Sequence, residues 1–222
     1  MIFFSRLKRF AVLFGHLLHT TFQMLYGGWR ISKLPQPIVS IFGSSRLRQN
    51  TPYTNKAHEL GKRFMESGVS VLTGGGPGIM EAAICDLNVT GPGKGKSMGI
   101  GVRGLDEGWN VCAQDYFELE YFFARKWLLM QFSMGFVIFP GGFGTLDELA
   151  EVLTLIQTKS LKQFPVVLIG KEYWQPLVDW IQDEALQHGA ILKEELEFFY
   201  VTDNLDEAYC WVLGKCEILK QN

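Results

Sequence analysis

Two glycine-rich turns carry the residues of this chain best suited to chemistry. One reads Phe139-Pro140-Gly141-Gly142-Phe143-Gly144-Thr145-Leu146-Asp147-Glu148, between an apolar strand-like run and a long helical pattern. Gly141, Gly142 and Gly144 let a ligand approach the backbone closely. The N–H groups from Gly142 to Thr145, with the Thr145 hydroxyl, can cradle a phosphate where a helix begins. Glu148 lies one turn along that helix, where its carboxylate can face a sugar attached to the phosphate. A glutamate in the first turn is also favoured by the helix macrodipole alone, by about 0.3–1 kcal/mol, and the pattern does not separate these readings. The other turn, Gly74-Gly75-Gly76-Pro77-Gly78, stands between Val71-Leu72-Thr73 and Ile79-Met80-Glu81. Gly75, Gly76 and Gly78 admit a ligand there by the same physics, or the segment is a tight turn without one.

Other matches dissolve in their context. The loop Gly91-Pro92-Gly93-Lys94-Gly95-Lys96-Ser97 has Thr90 where a phosphate-binding P-loop needs glycine, and a strand-like segment follows where a helix should start. Gly99-Ile100-Gly101-Val102-Arg103-Gly104 satisfies the dinucleotide-binding spacing, yet Gly108 and Trp109 leave no room for the helix that the motif needs. Asn88-Val89-Thr90 is a glycosylation sequon without a secretory context, and His58 and His188 have no partner at metal-ligand spacing. Cys85, Cys112, Cys210 and Cys216 are scattered, without a CxxC pair. They are expected to be thiols in a reducing compartment, with no metal site.

The turns must be held by a scaffold, and the pattern names it. Strand-like runs at Ile38–Phe42, Val69–Thr73, Met98–Val102, Phe136–Phe139, Val166–Ile169 and Phe199–Val201 alternate with helical patterns at Tyr53–Ser67, Ile79–Leu87, Leu119–Phe132 and Thr145–Thr158, and further helices follow the last two strands. Continuously apolar strands imply a sheet covered on both faces, and strand–helix alternation implies parallel βαβ units. The expected fold is α/β: a Rossmann-like, doubly wound parallel sheet over residues 38–222. Ligands of such sheets bind beyond the carboxyl ends of the strands, which puts Gly43 and Ser44 on one rim with both glycine turns.

At this point the chain resembles a known family. Pro140-Gly141-Gly142-Phe143-Gly144-Thr145-Leu146-Asp147-Glu148 is similar to the PGGxGTxxE signature of the LOG family, the cytokinin riboside 5'-monophosphate phosphoribohydrolases often mislabelled lysine decarboxylases. The Gly74-to-Ala83 segment resembles that family's upstream glycine turn, and Phe123-Ala124-Arg125-Lys126 resembles its Arg-Lys pair. The likeness runs from about Ile38 to Trp180, and the segment from Tyr121 to Asp179 resembles the longer bacterial members most. It implies Arg125 and Glu148 as a catalytic pair and the Gly142–Thr145 turn as the phosphate site. Lys126 is a secondary candidate, for the anion or for a subunit interface. The implied reaction is hydrolysis of the N-glycosidic bond of a nucleoside 5'-monophosphate, AMP or a cytokinin riboside monophosphate, without metal, redox cofactor or pyridoxal phosphate. The rival reading is a non-catalytic nucleotide sensor or molybdenum-cofactor carrier of the same superfamily, which the Arg125–Glu148 pair argues against. A homodimer or larger homo-oligomer is implied as well.

Residues 1–37 stand apart. Arg6, Lys8 and Arg9 precede an apolar run, Phe10–Leu18, with the outline of a signal peptide, but His16 and His19 interrupt the run and no small-x-small cleavage site follows. The run is too short to span a bilayer. Phe3, Leu7, Phe10, Phe14, Leu17 and Thr21 recur at spacings of four and three, beside Phe4, Ala11, Leu18 and Leu25. They predict an amphipathic helix packed on the domain or on a partner subunit, with membrane-surface contact by residues 1–30 as the alternative. Gly27-Gly28 and Pro35-Gln36-Pro37 are expected to form the linker. The whole chain of 222 residues carries 21 Lys+Arg against 23 Asp+Glu. That balance gives no general basic field for nucleic acid or anionic lipid, and the expected location is the cytoplasm.

Overall fold

The computed structural model describes residues 2–85, 87–104 and 113–214; Cys112, Cys216, Gly108 and Trp109 lie outside them. Seven strands, β1 (Ile38–Phe42), β2 (Ser70–Thr73), β3 (Ser97–Val102), β4 (Asp115–Leu119), β5 (Phe136–Ile138), β6 (Val166–Ile169) and β7 (Tyr200–Thr202), form one sheet in the order β4-β3-β2-β1-β5-β6-β7. Every neighbouring pair is parallel. The helices are α1 (Ile2–Ile31), α2 (Pro52–Glu66), α3 (Ile79–Ile84), α4 (Phe122–Phe132), α5 (Phe143–Gln157), α6 (Lys171–Trp180) and α7 (Leu205–Val212).

Alternate residues of each strand point to opposite faces, and the core divides accordingly. Ile38, Phe42, Phe136, Ile138 and Leu168 pack with Leu128 of α4, Val152 of α5 and Trp174 of α6. Val39, Ile41, Val137, Phe139 and Val167 pack on the other face, with Leu60 and Phe64 of α2, Ala83 of α3 and Ala208 of α7. This is the doubly wound α/β arrangement expected. The chain builds outward from β1 through β4, then restarts on the other side of β1 with β5, which pairs Ser40 with Phe136 and Phe42 with Ile138. The carboxyl ends of β1 and β5 therefore flank the switch point where such sheets bind ligands.

Three expectations need correction. Asp115–Leu119 is an edge strand, β4, where none was predicted; as an edge strand it mixes half-buried with buried positions and lacks a continuous apolar signature. Gly27-Gly28 belongs to no linker, because α1 runs through both to Ile31. A Cβ at Gly27 would stand 2.8 Å from Leu128 Cδ1 and 2.8 Å from Phe117 Cε2, so glycine there lets α1 lie close against α4 and β4. Cys85 is disulfide-bonded, whereas Cys210 is free; scattered spacing hides a pairing that the fold creates, and the compartment argument drawn from thiols loses force.

The apolar stripe of α1 does not pack on the domain. Thr20, Gly27 and Ile31 of α1 are buried against the body, while Phe10, Phe14, Leu17, Leu18, Phe22 and Leu25 are exposed, Phe10 at 66% and Phe22 at 69%. The docking side combines Ile31 and Met24 with small and polar groups. Tyr121 Oη and His16 Nδ1 lie 2.9 Å apart, the Glu120 N–H donates to Gln23 Oε1 at 3.0 Å, and Arg30 is paired with Asp115.

Candidate active site

Gly43 and Ser44 leave β1, Pro140 to Gly142 leave β5, and the two loops meet at the switch point. The Phe139 N–H donates to Phe42 O at 2.8 Å and the Ser44 N–H to Pro140 O at 3.0 Å. Gly141 must be glycine, since a Cβ there would fall 2.0 Å from Thr145 Oγ1 and 3.0 Å from the Ser44 nitrogen. The Tyr173 hydroxyl of α6 donates to Gly141 O at 2.6 Å and pins the turn from outside. Gly142 is then the N-cap of α5 and supplies no side-chain cap, and no acid occupies the first turn. The start of α5 thus presents backbone N–H groups and the positive end of the helix dipole, without a built-in carboxylate to answer them.

Into this opening the fold brings Arg125 from α4 and Glu148 from α5. Both are almost fully buried, at 5% and 6% exposure, and the guanidinium Nη2 lies 3.6 Å from Glu148 Oε1. Arg125 also donates from Nη1 to Gly74 O at 3.3 Å, and its guanidinium carbon lies 4.2 Å from the centre of the Phe122 ring. Its Nε has no hydrogen-bond partner among the described residues. Burial pushes the Glu148 carboxyl up to about 7, against the lowering pull of Arg125 and Lys126 and with help from Asp147 and Glu151. Near neutral pH the group is thus divided between acid and carboxylate.

Gly43, Ser44, Arg125, Gly141, Gly142, Gly144, Thr145 and Glu148 line one cleft of about 480 Å³. Gly75, Gly76, Gly78 and Lys126 do not. The first glycine turn instead buttresses the site. A Cβ at Gly78 would lie 2.3 Å from Ser44 O, one at Gly75 2.7 Å from the Tyr116 ring, and the Ile79 N–H already donates to Ser44 O at 3.1 Å. Gly99 and Gly101 lie inside β3, where they leave room for Tyr116, so their spacing reflects packing. Lys126 is held by Asp147 at 2.8 Å and Glu151 at 2.7 Å. Burial alone would lower its pKa, and the bonds to these acids outweigh that and hold it above its ordinary range.

The cleft also contains residues that sequence reasoning passed over: Arg46, Met80, Phe122, Phe143 and Tyr173. Arg46 had a signal, two residues beyond Ser44 on a loop leaving a strand's carboxyl end. Phe143, 92% exposed inside the glycine turn, had one too, as a large apolar residue among glycines. Met80, Phe122 and Tyr173 come from three other elements and had none. Among the described residues no three His, Cys, Asp or Glu side chains stand together as a metal site.

Comparison with known proteins bears on the family and the fold. The family model described as possible lysine decarboxylase matches residues 65–210. The cytokinin riboside 5'-monophosphate phosphoribohydrolase LOG of Oryza sativa subsp. japonica is 29% identical over 163 residues, covering 70% of this chain and 64% of that protein. The match thus spans less than two thirds of the rice protein. The Arabidopsis thaliana phosphoribohydrolase LOG1 is 28% identical over 160 residues, 69% of this chain and 71% of its own. Among solved structures, the molybdenum cofactor binding protein of Rippkaea orientalis superimposes with a TM-score of 0.54 at 23% identity, over 81% of this chain and 96% of that one. The molybdenum cofactor carrier protein of Chlamydomonas reinhardtii gives 0.54 at 21%, over 81% and 98%. These two likenesses speak for the fold alone. With its model matched across most of the sheet and both glycine turns in place, the chain belongs to the LOG family, the one whose model is described as possible lysine decarboxylase.

Proposed function

We propose that the cleft hydrolyses the N-glycosidic bond of a nucleoside 5'-monophosphate, releasing free base and ribose 5-phosphate. The observation that carries this reading is the meeting of Arg125 and Glu148, both buried, at the wall of a cleft into which α5 opens without a side-chain cap. The substrate phosphate sits on the N–H groups from Gly142 to Thr145, and the ribose extends toward Glu148. As the bond from C1' to the base nitrogen breaks, its electron pair leaves with the base and positive charge develops on the sugar. The Glu148 carboxylate stabilises that charge and holds a ribose hydroxyl or the attacking water. Water supplies the hydroxyl that ends on C1', and its proton ends on the base. Arg125 stays charged throughout, so it donates hydrogen bonds to the departing base and is no proton source.

The pyridoxal phosphate chemistry suggested by the family model's description does not fit. A Schiff base needs a lysine with an unprotonated amine inside the pocket, and no lysine lines the cleft. Lys126, the nearest in sequence to the site, is ion-paired to two carboxylates and held in its charged form.

The test is release of free base from a panel of nucleoside 5'-monophosphates and the matching nucleosides, with Glu148→Ala and Arg125→Ala alongside. The expected result is release from monophosphates only, abolished in both variants. Nucleotide binding without release from any panel member would instead establish a carrier or sensor, which needs the phosphate turn but not the buried pair.

A further inference from the structure

The exposed stripe of α1 is the largest feature that the cleft leaves unexplained. At about 100° per residue, Leu13, Leu17, Phe10, Phe14, Leu25, Leu18, Trp29 and Phe22 cover an arc of about 180°, and each is roughly half exposed or more. The side that touches the body is centred about 120° away, at Thr20, Gly27 and Ile31. Such an apolar surface on a chain of this size marks a partner.

Charge identifies the partner. The helix holds four basic residues, Arg6, Lys8, Arg9 and Arg30, and no acidic one, which leaves 17 basic against 23 acidic residues in the rest of the chain. The helix therefore carries net positive charge on an otherwise acidic protein, with Arg30 already paired to Asp115. Arg6, Lys8 and Arg9 are exposed around the start of the stripe. Beside its other end, a cleft of about 610 Å³ is lined by Tyr26, Trp29, Lys33, Lys94 and Lys96, and the Lys33 ammonium stands 3.2 Å from the centre of the Trp29 ring. A second copy of α1 fits less well. A two-helix seam is narrow and is flanked by opposite charges, whereas this face is half the helix wide and has no acid to answer a copy's arginines. No helix among the described residues is long and apolar enough to cross a bilayer.

We propose that α1 is a membrane-surface helix that lies in the interface of an anionic lipid bilayer. The Phe10-to-Trp29 stripe enters the acyl boundary, and Arg6, Lys8, Arg9 and the lysines of the cleft beside Trp29 meet lipid phosphates. Tyr26 and Trp29 supply the amphipathic rings that favour the headgroup level. The inference is independent of the reaction at the Arg125–Glu148 cleft.

The test is sedimentation of the full chain with vesicles of phosphatidylcholine alone and of phosphatidylcholine with phosphatidylglycerol, with circular dichroism confirming the fold of each variant. Wild type is expected to partition onto the anionic vesicles and at least ten-fold more weakly onto the neutral ones, because each basic residue at the surface adds to the attraction of anionic lipid. Phe14→Glu/Leu17→Glu removes binding to both, and Lys8→Gln/Arg9→Gln, at two exposed positions, weakens the anionic binding by roughly ten-fold or more. Failure of wild type to bind anionic vesicles overturns the proposal, and so does binding unchanged in either variant. Self-association through the stripe, seen by light scattering and lost in Phe14→Glu/Leu17→Glu while wild type ignores vesicles, assigns the face to a second copy instead.

Discussion

At the scale of single residues the informative group is Glu148, because one side chain sets both a stability and a rate dependence on pH. Its folded pKa of about 7 stands above the ordinary 4.5. Between those values the native state keeps a proton that the unfolded chain has released, so stability falls as pH rises through this window and the loss is complete above about 7. Glu148→Gln has no carboxyl to titrate there. In parallel thermal and urea unfolding series, the variant gains on wild type between pH 4.5 and 8 by up to about 3 kcal/mol, the value of a shift this large. A parallel offset at all pH values would show that the carboxyl is not buried as described. The rate runs the other way. If the carboxylate is the working form, kcat/KM for a nucleoside monophosphate rises about ten-fold per pH unit below 7 and levels off above it, and a flat profile would remove Glu148 from the chemistry. Arg125→Lys keeps a charge but loses the planar fork that reaches Gly74 O and Glu148 together. It should lower kcat by about 10²-fold, while binding of ribose 5-phosphate, measured by calorimetry, changes little.

At the scale of elements, the site depends on how closely two turns approach each other. A methyl group at Gly141 would meet Thr145 Oγ1 and the Ser44 nitrogen, whereas one at Gly142 meets nothing within 4 Å, and the Gly142 φ of -89° suits any residue. Gly141→Ala is therefore expected to cost about 1–3 kcal/mol by overpacking, and Gly142→Ala less than about 0.5 kcal/mol, both read from thermal unfolding. Equal losses would mean that the turn yields more easily than its neighbours imply. The same comparison shows what the chain discloses in one dimension. The glycine turn at the start of α5 was legible because strand, glycines, threonine and glutamate are contiguous. The first turn was legible as a turn, but its role was not: Gly78 supports Ser44, and Gly75 makes room for Tyr116, across contacts that no spacing records. Six strands announced themselves by apolar runs, while β4 did not, because Asp115 and Glu118 break its apolar run and its positions are unevenly covered. The period of α1 was visible, yet its docked side was not, since that side mixes Ile31 and Met24 with Thr20, Gly27 and hydrogen bonds while the wide apolar stripe faces out.

For the whole molecule, the question is which parts of α1 belong to the folded unit. The helix runs antiparallel to the strands: His16 and Gln23 meet Tyr121 and Glu120 just beyond the carboxyl end of β4, and Arg30 meets Asp115 at its beginning. Residues 16–31 therefore cross the sheet, and residues 2–15 extend past its carboxyl rim for about 20 Å at 1.5 Å per residue. The two halves should behave differently on deletion. The crossing half is built in: Ile31 is fully buried, and Gly27 already leaves no space beside Leu128 and Phe117. Gly27→Val should therefore lower Tm by several degrees, from an overpacking cost of about 1–3 kcal/mol. The overhanging half contributes no buried residue among those whose side chains are described. Its deletion, residues 2–15, should leave Tm within about 2 °C, since surface changes usually stay within about 0.5 kcal/mol. The rate of base release should likewise stay within about two-fold, because nothing described in that segment lines the cleft. A large fall in Tm would show that the overhang supports the fold through contacts between subunits. A rate loss at constant Tm would place the overhang over another subunit's cleft. Stability and rate both preserved would leave residues 2–15 free to serve a surface outside the protein.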